Sequence, residues 1–158
     1  MSCHQLTLRR WRPGDEAALW QLKYRTIHSI NRRDYSAAQC AAWAPEDLDP
    51  VLWQQRVAGM DPFVAELNGE LAGFADLQAD GYIDHFFVSG SHARQGVGTR
   101  LMMCLHEEAR LLGIGELTAD VSKTAEPFFA LHGFHVEEIR YPVRRSVMIP
   151  NALMRKKL

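Results

Sequence analysis

The stretch Phe86-Phe87-Val88-Ser89-Gly90-Ser91-His92-Ala93-Arg94-Gln95-Gly96-Val97-Gly98-Thr99-Arg100-Leu101 leaves few folds open to this chain. Apolar residues end a strand, a glycine-bearing loop follows, and from Gln95 to Leu112 apolar side chains recur at helical spacing. A helix that starts where a strand stops presents free N–H groups and the positive end of its dipole there. Glycines let a phosphate approach that backbone closely. The residues Arg94, Gln95, Gly96, Val97, Gly98 and Thr99 therefore read as an anion site. A Gly-x-Gly match alone is weak, because helix-capping glycines give it too. Two nucleotide patterns fail. The loop has no Lys of the P-loop kind, and Leu101 stands where a dinucleotide motif needs its third glycine.

The rest of the chain supplies the context. Residues 6–10 alternate as a strand does. Asp15, after Pro13-Gly14, is placed to cap a helix to about Ile30. Ser36 caps a second helix over residues 37–43. Asp49-Pro50 starts a third, with Leu52, Trp53, Val57 and Met60 on its buried side. Residues 63–67 read as a strand, Asn68-Gly69 as a two-residue hairpin turn, and residues 71–78 as the returning strand. After the turn at Asp80-Gly81, residues 82–88 make a third strand, which predicts three antiparallel strands in a row. The long helix stops at Gly113, with Val97, Leu101, Cys104, Leu105, Ala109 and Leu112 near one face. A strand over 117–121, a short helix over 124–131 and strands over 134–141 and 147–154 complete the order. The expectation is one α/β domain spanning residues 1–158.

Charge and composition narrow the function. Eighteen Lys and Arg against nineteen Asp and Glu leave a net charge of −1, and the basic run Arg155-Lys156-Lys157 reads as a solvated end. Nucleic acid is not an expected partner. No apolar run reaches the roughly 20 residues a membrane helix needs, so no membrane role is expected. The N-terminal residues lack the basic-then-apolar pattern of a signal peptide, which predicts a cytoplasmic protein. Cys3, Cys40 and Cys104 are odd in number and far apart, and the seven histidines are scattered, so neither a disulfide framework nor a metal site is expected.

A second segment sharpens the reading: Ala119-Asp120-Val121-Ser122-Lys123-Thr124-Ala125-Glu126-Pro127-Phe128-Phe129-Ala130-Leu131-His132-Gly133-Phe134. Together with the glycine loop it resembles the GNAT acetyltransferase superfamily over nearly the whole chain. The loop is similar to that family's pyrophosphate motif. The second segment is similar to its Asn-x-x-Ala-x-x-Phe-Tyr-x-x-x-Gly-Phe motif. The stretches Tyr35 to Ala44, Tyr82-Ile83-Asp84 and Thr124 to Phe129 resemble the YafP-like branch in particular. Two positions depart from the pattern. Ala93 stands where relatives carry Gln or Arg. Phe129 stands where many carry the Tyr credited with protonating the departing thiolate, and phenylalanine has no proton to give. Ser122 also replaces the usual Asn, which leaves water, Ser122 or Tyr82 for that duty, or departure as the thiolate.

The resemblance implies an N-acetyltransferase with acetyl-CoA as co-substrate and a mixed, mostly antiparallel sheet splayed at the cofactor. Phe86, Phe87 and Val88 would line the pantetheine arm, with the N–H of Phe86 facing the thioester carbonyl. The loop Arg94 to Thr99 would hold the pyrophosphate, and Ser122, Phe128 and Phe129 would close the far side. Relatives place a carboxylate base at the position of Tyr82 or of Asp84. Alternation along a strand puts Tyr82, Asp84, Phe86 and Val88 on one face and His85 on the other, which makes Asp84 the first candidate for the base. A bulge would reverse that parity. The structural alternative is that Asp84 only holds loop backbone or an Arg. Tyr35, Trp43 and His28 are candidates for the acceptor wall, while Trp53 reads as core. The acceptor would be a small amine, an aromatic one among the candidates. The rival functions are a non-catalytic acyl-CoA-binding domain and an acetyltransferase acting on a protein lysine or N-terminus. The last strands could pair across a two-fold axis into a homodimer, as relatives often do.

Overall fold

The computed structural model describes residues 5–158, so Cys3 lies outside the described residues. Strand β1 (Leu6–Arg10) is followed by helix α1 (Glu16–Ser29). Asp15 does not cap α1 with its side chain. Its carboxylate instead accepts from the guanidinium of Arg9 at 2.8 and 3.2 Å and from the N–H of Arg12 at 2.7 Å, so the ion pair takes the oxygens a cap would use. Helix α2 (Ala37–Trp43) has the expected Ser36 cap, with Ser36 Oγ accepting from Gln39 N, and beyond that expectation the Gln39 side chain accepts from Ser36 N to complete a capping box. Helix α3 (Pro50–Met60) begins with Asp49 accepting from Val51 N. Trp53, Val57 and Met60 are buried on α3, but Leu52 is exposed, because its helical position faces away from α1 and the sheet.

Strands β2 (Phe63–Leu67) and β3 (Glu70–Ala75) form the hairpin, with Asn68 and Gly69 both at positive φ, 55° and 82°. Residues 76–78, expected to extend β3, lie outside it. The strand expected over 82–88 is two strands, β4 (Tyr82–Ile83) and β5 (Phe86–Val88). Helix α4 (Val97–Leu112), strand β6 (Glu116–Ser122) and helix α5 (Glu126–Leu131) follow. The chain ends with β7 (His135–Arg140), a small hairpin of β8 (Val143–Arg144) and β9 (Val147–Met148), and β10 (Asn151–Lys157). The single last strand expected over 147–154 is thus divided at Ile149-Pro150. The basic tail is not a loose end. Arg155 pairs with Glu137 at 2.8 Å and with Glu116, and Lys156 Nζ lies 2.8 Å from His106 Nε2, within β10.

One sheet runs β1-β2-β3-β5 and the other β4-β6-β10-β7. All pairs are antiparallel except β4 with β6, which is parallel. This is the mixed α/β architecture expected, but the three antiparallel strands in a row are β2, β3 and β5, with β4 in the other sheet. Helix α4 covers one face: Val97, Leu101 and Leu105 pack with Ala65, Ile83, Leu117 and Phe134. Leu112 and half-buried Cys104 fall off that face. Helices α1 and α3 cover the other, where Leu19, Leu22, Trp53 and Val57 meet Val64 and Phe74. Burying each such side chain contributes about 1.5–3 kcal/mol, so both faces are firmly held. No helix among the described residues is long and apolar enough to cross a membrane.

Candidate active site

The break between β4 and β5 is made by a side chain. Asp76, fully buried, accepts the N–H of Asp84 at 2.9 Å and that of His85 at 2.7 Å on one carboxylate oxygen. Backbone donors spent on a carboxylate cannot continue a strand ladder. The chain therefore leaves β6 after Ile83, which pairs with Ala119, and joins β3 at Phe86, which pairs with Ala75. A wedge opens between β5 and β6. His85 O accepts from Asp76 N and Ser89 N donates to Ala72 O, so these groups face β3. Two-residue alternation then turns the N–H groups of Phe86 and Val88 away from β3, into the wedge. The wedge continues into a cavity of about 1030 Å³.

The far wall of the cavity is the start of α4. Arg94 and Gly96 stand at positive φ, 61° and 82°, and no side chain caps the helix. A Cβ on Gly98 would sit 3.2 Å from the ring of Phe128, so glycine at this position keeps the helix and α5 close. Arg94, Gly96, Val97, Gly98 and Thr99 line the cavity, and Gln95 does not. Phe86, Phe87 and Val88 line it from β5, and Ser122, Phe128 and Phe129 from the opposite side. An uncapped helix start beside an open wedge with inward N–H groups fits a pyrophosphate joined to an extended amide-bearing arm.

Phe129 is buried against Phe86 (5.6 Å between centroids), Phe128 (5.9 Å) and Phe134 (5.0 Å). Ser122 Oγ accepts from Asn31 Nδ2 at 3.3 Å and from Ala125 N at 3.1 Å, which leaves its own hydrogen for a third partner.

The other end of the cavity holds a chain of titratable groups. Asp84 Oδ2 lies 2.9 Å from His85 Nδ1, His85 Nε2 lies 2.8 Å from Lys23 Nζ, and Arg56 reaches Asp84 at 3.2 Å. The hydrogen bond from His85, with the nearby charge of Arg56, holds the Asp84 carboxyl well below the usual carboxylate range. Burial pushes His85 down to about 3 and Lys23 down to about 7, and each cation opposes the other or its neighbours. Asp84 is therefore ionised and can only accept. His85 Nδ1 must carry the hydrogen, and Nε2 accepts from Lys23. Burial raises Asp76 to about 6 against the hydrogen bonds it receives. Tyr82 donates to Asp120 at 2.9 Å, and burial with that carboxylate raises its phenol. Arg140 reaches the same Asp120 at 3.2 Å.

The strand parity expected for residues 82–88 is corrected here. Ile83 packs on the α4 side with Phe86 and Val88, whereas His85 packs against Trp53, Phe74 and Phe87 on the α1 side and is hydrogen-bonded to Asp84, because Asp76 ends the alternation between Ile83 and His85. Lys23, Arg56 and Asp76 were not singled out from the sequence. The one signal was Lys23 beside Leu22 on the apolar side of α1, where a lysine is unusual.

The acceptor-wall candidates separate. Trp43 lines the cavity, 6.3 Å from Phe87. Tyr35 lines it too and stacks edge-on with Trp43 at 5.7 Å, but its hydroxyl is a strut: it donates to Pro150 O at 2.6 Å and accepts from Lys123 N at 2.9 Å. Tyr35 precedes α2, so a shared helical face does not bring the two rings together. His28 is outside the cavity, its ring against Tyr24 at 4.1 Å and its Nε2 bonded to Ala44 O at 2.8 Å. It falls in α1 on the side that meets α2, which removes it from the acceptor wall.

A family model described as an acetyltransferase (GNAT) domain matches residues 31–158. The chain is 30% identical over 154 residues to the uncharacterized N-acetyltransferase YafP of Escherichia coli (strain K12), covering 98% of this chain and 97% of that one. The crystal structure of a GCN5-related N-acetyltransferase from Rhodopseudomonas palustris superposes with a TM-score of 0.93 at 30% identity, over 100% of this chain and 99% of the other. The PaiA N-acetyltransferase of Thermoplasma acidophilum, solved in complex with coenzyme A, shares the fold with a TM-score of 0.76 at 17% identity, over 98% and 99% of the two chains.

Proposed function

The chain belongs to the GNAT acetyltransferase family, and on that premise we propose that it moves the acetyl group of acetyl-CoA to the amine of a small-molecule acceptor held at the Asp84 end of the cavity. The observation that carries this reading is the wedge between β5 and β6, which ends at an uncapped helix start on one side and at an ionised carboxylate on the other.

Acetyl-CoA, when bound, supplies an acetyl group activated as a thioester. Arg94 and the free N–H groups of the first turn of α4 hold its pyrophosphate, and Gly96 and Gly98 keep side chains out of the way. The N–H groups of Phe86 and Val88 hold the arm as a neighbouring strand would, with Phe86 N–H as the donor to the carbonyl oxygen. Phe128 and Phe129 exclude water from the far side.

Asp84 accepts a hydrogen from the amine of the acceptor, which aims the nitrogen lone pair, and receives the proton directly or through water. His85 and Arg56 fix the carboxylate and keep it ionised. A carboxylate this reluctant to hold a proton passes it quickly to solvent, so its main contribution is to offset the positive charge that grows on nitrogen. Ser122, with a hydroxyl hydrogen to spare on the cavity wall, takes over the donor role that Phe129 lacks.

The test is to incubate the purified protein with acetyl-CoA and a varied amine panel and follow release of free thiol. Saturable, amine-dependent release is the expected result. Tight acetyl-CoA binding with no amine-dependent release would mean a binding domain instead.

A further inference from the structure

The acceptor end of the cavity carries more positive charge than its carboxylates balance. Arg56, Arg140 and Arg144 line it, with Lys23 only partly protonated near neutral pH, against Asp84 and Asp120. Both carboxylates are already engaged, Asp84 by His85 and Arg56, and Asp120 by Tyr82 and Arg140. Arg144 differs from Arg56 and Arg140. It lies in β8, and its neighbour Arg145 takes Asp47 at 2.8 Å, whereas Arg144 has no ion pair among the described residues. Its side chain is exposed but lines the cavity, near enough to buried Lys23 that its charge, with that of Arg56, helps to lower the proton affinity of that lysine.

A guanidinium without a carboxylate, on the wall of a partly enclosed cavity, is suited to a planar or tetrahedral oxyanion brought by a ligand. An amine that is only a cation would be repelled by this surplus. We propose that the acceptor is an amine that also carries an anionic group, a carboxylate or a phosphonate, with the anion on Arg144 and the amine on Asp84. Trp43 and Phe87 give the part between the two ends an apolar wall. This inference rests on the acetyl transfer proposed above.

The experiment compares matched amines on the purified protein saturated with acetyl-CoA: amino carboxylates, their primary amides, and aminophosphonates, each followed by thiol release and by calorimetric binding. The carboxylate or the phosphonate should exceed its neutral match by about tenfold or more in kcat/KM or in affinity. The two anionic arms tell which oxyanion fits. Arg144→Gln should bring the ratio of anionic to neutral amine close to unity, and Arg144→Lys should restore only part of it. Acetyl-CoA affinity, measured in each variant, reports separately on the family reading. If acetyl-CoA binds and the neutral amines equal or exceed the anionic ones, the proposal is overturned while the acetyltransferase reading stands. It is equally overturned if no anionic amine outbinds its neutral match, or if Arg144→Gln leaves the ratio unchanged. Loss of acetyl-CoA binding to the wild-type protein would instead sink the acetyltransferase reading.

Discussion

His85 Nε2 lies 2.8 Å from Nζ of Lys23, with both side chains almost wholly buried between α1 and the end of β4. Three ionisable side chains, Lys23, His85 and Asp84, thus form one hydrogen-bonded line from the core to the cavity. The line fixes the tautomer of His85, and through it the orientation of Asp84.

Replacing Lys23 by Met keeps an unbranched side chain, one atom shorter, and removes the amine. In the folded protein Lys23 holds its proton only below about pH 7, while in the unfolded chain it does so up to about pH 10.5. The unfolded state therefore binds more protons across that window, and the Lys23 contribution to stability improves as pH rises from 7. The stability of wild type relative to Lys23→Met should climb by up to about 1.4 kcal/mol per pH unit between pH 7 and 10. Urea unfolding at three pH values checks it. A constant difference would mean that Lys23 stays charged in the fold.

Asp84→Asn should lower turnover with the best amine by about 10²-fold or more, with acetyl-CoA affinity little changed. The asparagine can still accept from His85 Nδ1 but brings no charge to the amine. Steady-state kinetics beside calorimetry separates the two quantities, and an unaltered rate would make Asp84 a purely structural partner of Arg56 and His85.

Gly98→Asp places a carboxylate at the start of α4, where a Cβ already meets the Phe128 ring at 3.2 Å. Acetyl-CoA affinity should fall by roughly 100-fold or more, through crowding and through repulsion of the pyrophosphate. Calorimetry on variants shown to be folded by circular dichroism is the measurement. Unchanged affinity would move the phosphate site elsewhere.

Phe129→Tyr adds a hydroxyl among Phe86, Phe128 and Phe134. Without a partner there it should cost about 1–3 kcal/mol of stability and give no gain in rate. A melting curve and a pH–rate profile decide it. A faster and equally stable enzyme would show that the hydroxyl points into the cavity and that protonation of the leaving group limits the wild type.

Tyr35→Phe removes a hydroxyl that joins Pro150 O to Lys123 N. Stability should drop by about 1–3 kcal/mol, with KM for the amine nearly unchanged. A large rise in KM at unchanged stability would place the hydroxyl on the acceptor after all.

The features legible in the sequence are those with local causes. The Ser36 cap, the Asn68-Gly69 turn and the glycines at the start of α4 act within a few residues of themselves, so their residue types suffice to place them. The helical period of α4 and the apolar strand before it gave the expectation of an anion site for the same reason. What the tertiary structure alone decided is the break at Asp84 and His85. It depends on Asp76, just past the end of β3, offering a buried carboxylate to two N–H groups that alternation would have assigned to a ladder. The line from Lys23 to His85 spans 62 residues of chain, and the place of Arg144 on the cavity wall depends on where the β8–β9 hairpin lands. Periodicity reports which side of an element is apolar, but not which distant polar group will be folded against it. Only the packed fold brings those charges to one cavity, and there burial and the hydrogen bonds it encloses set which of them keep their protons.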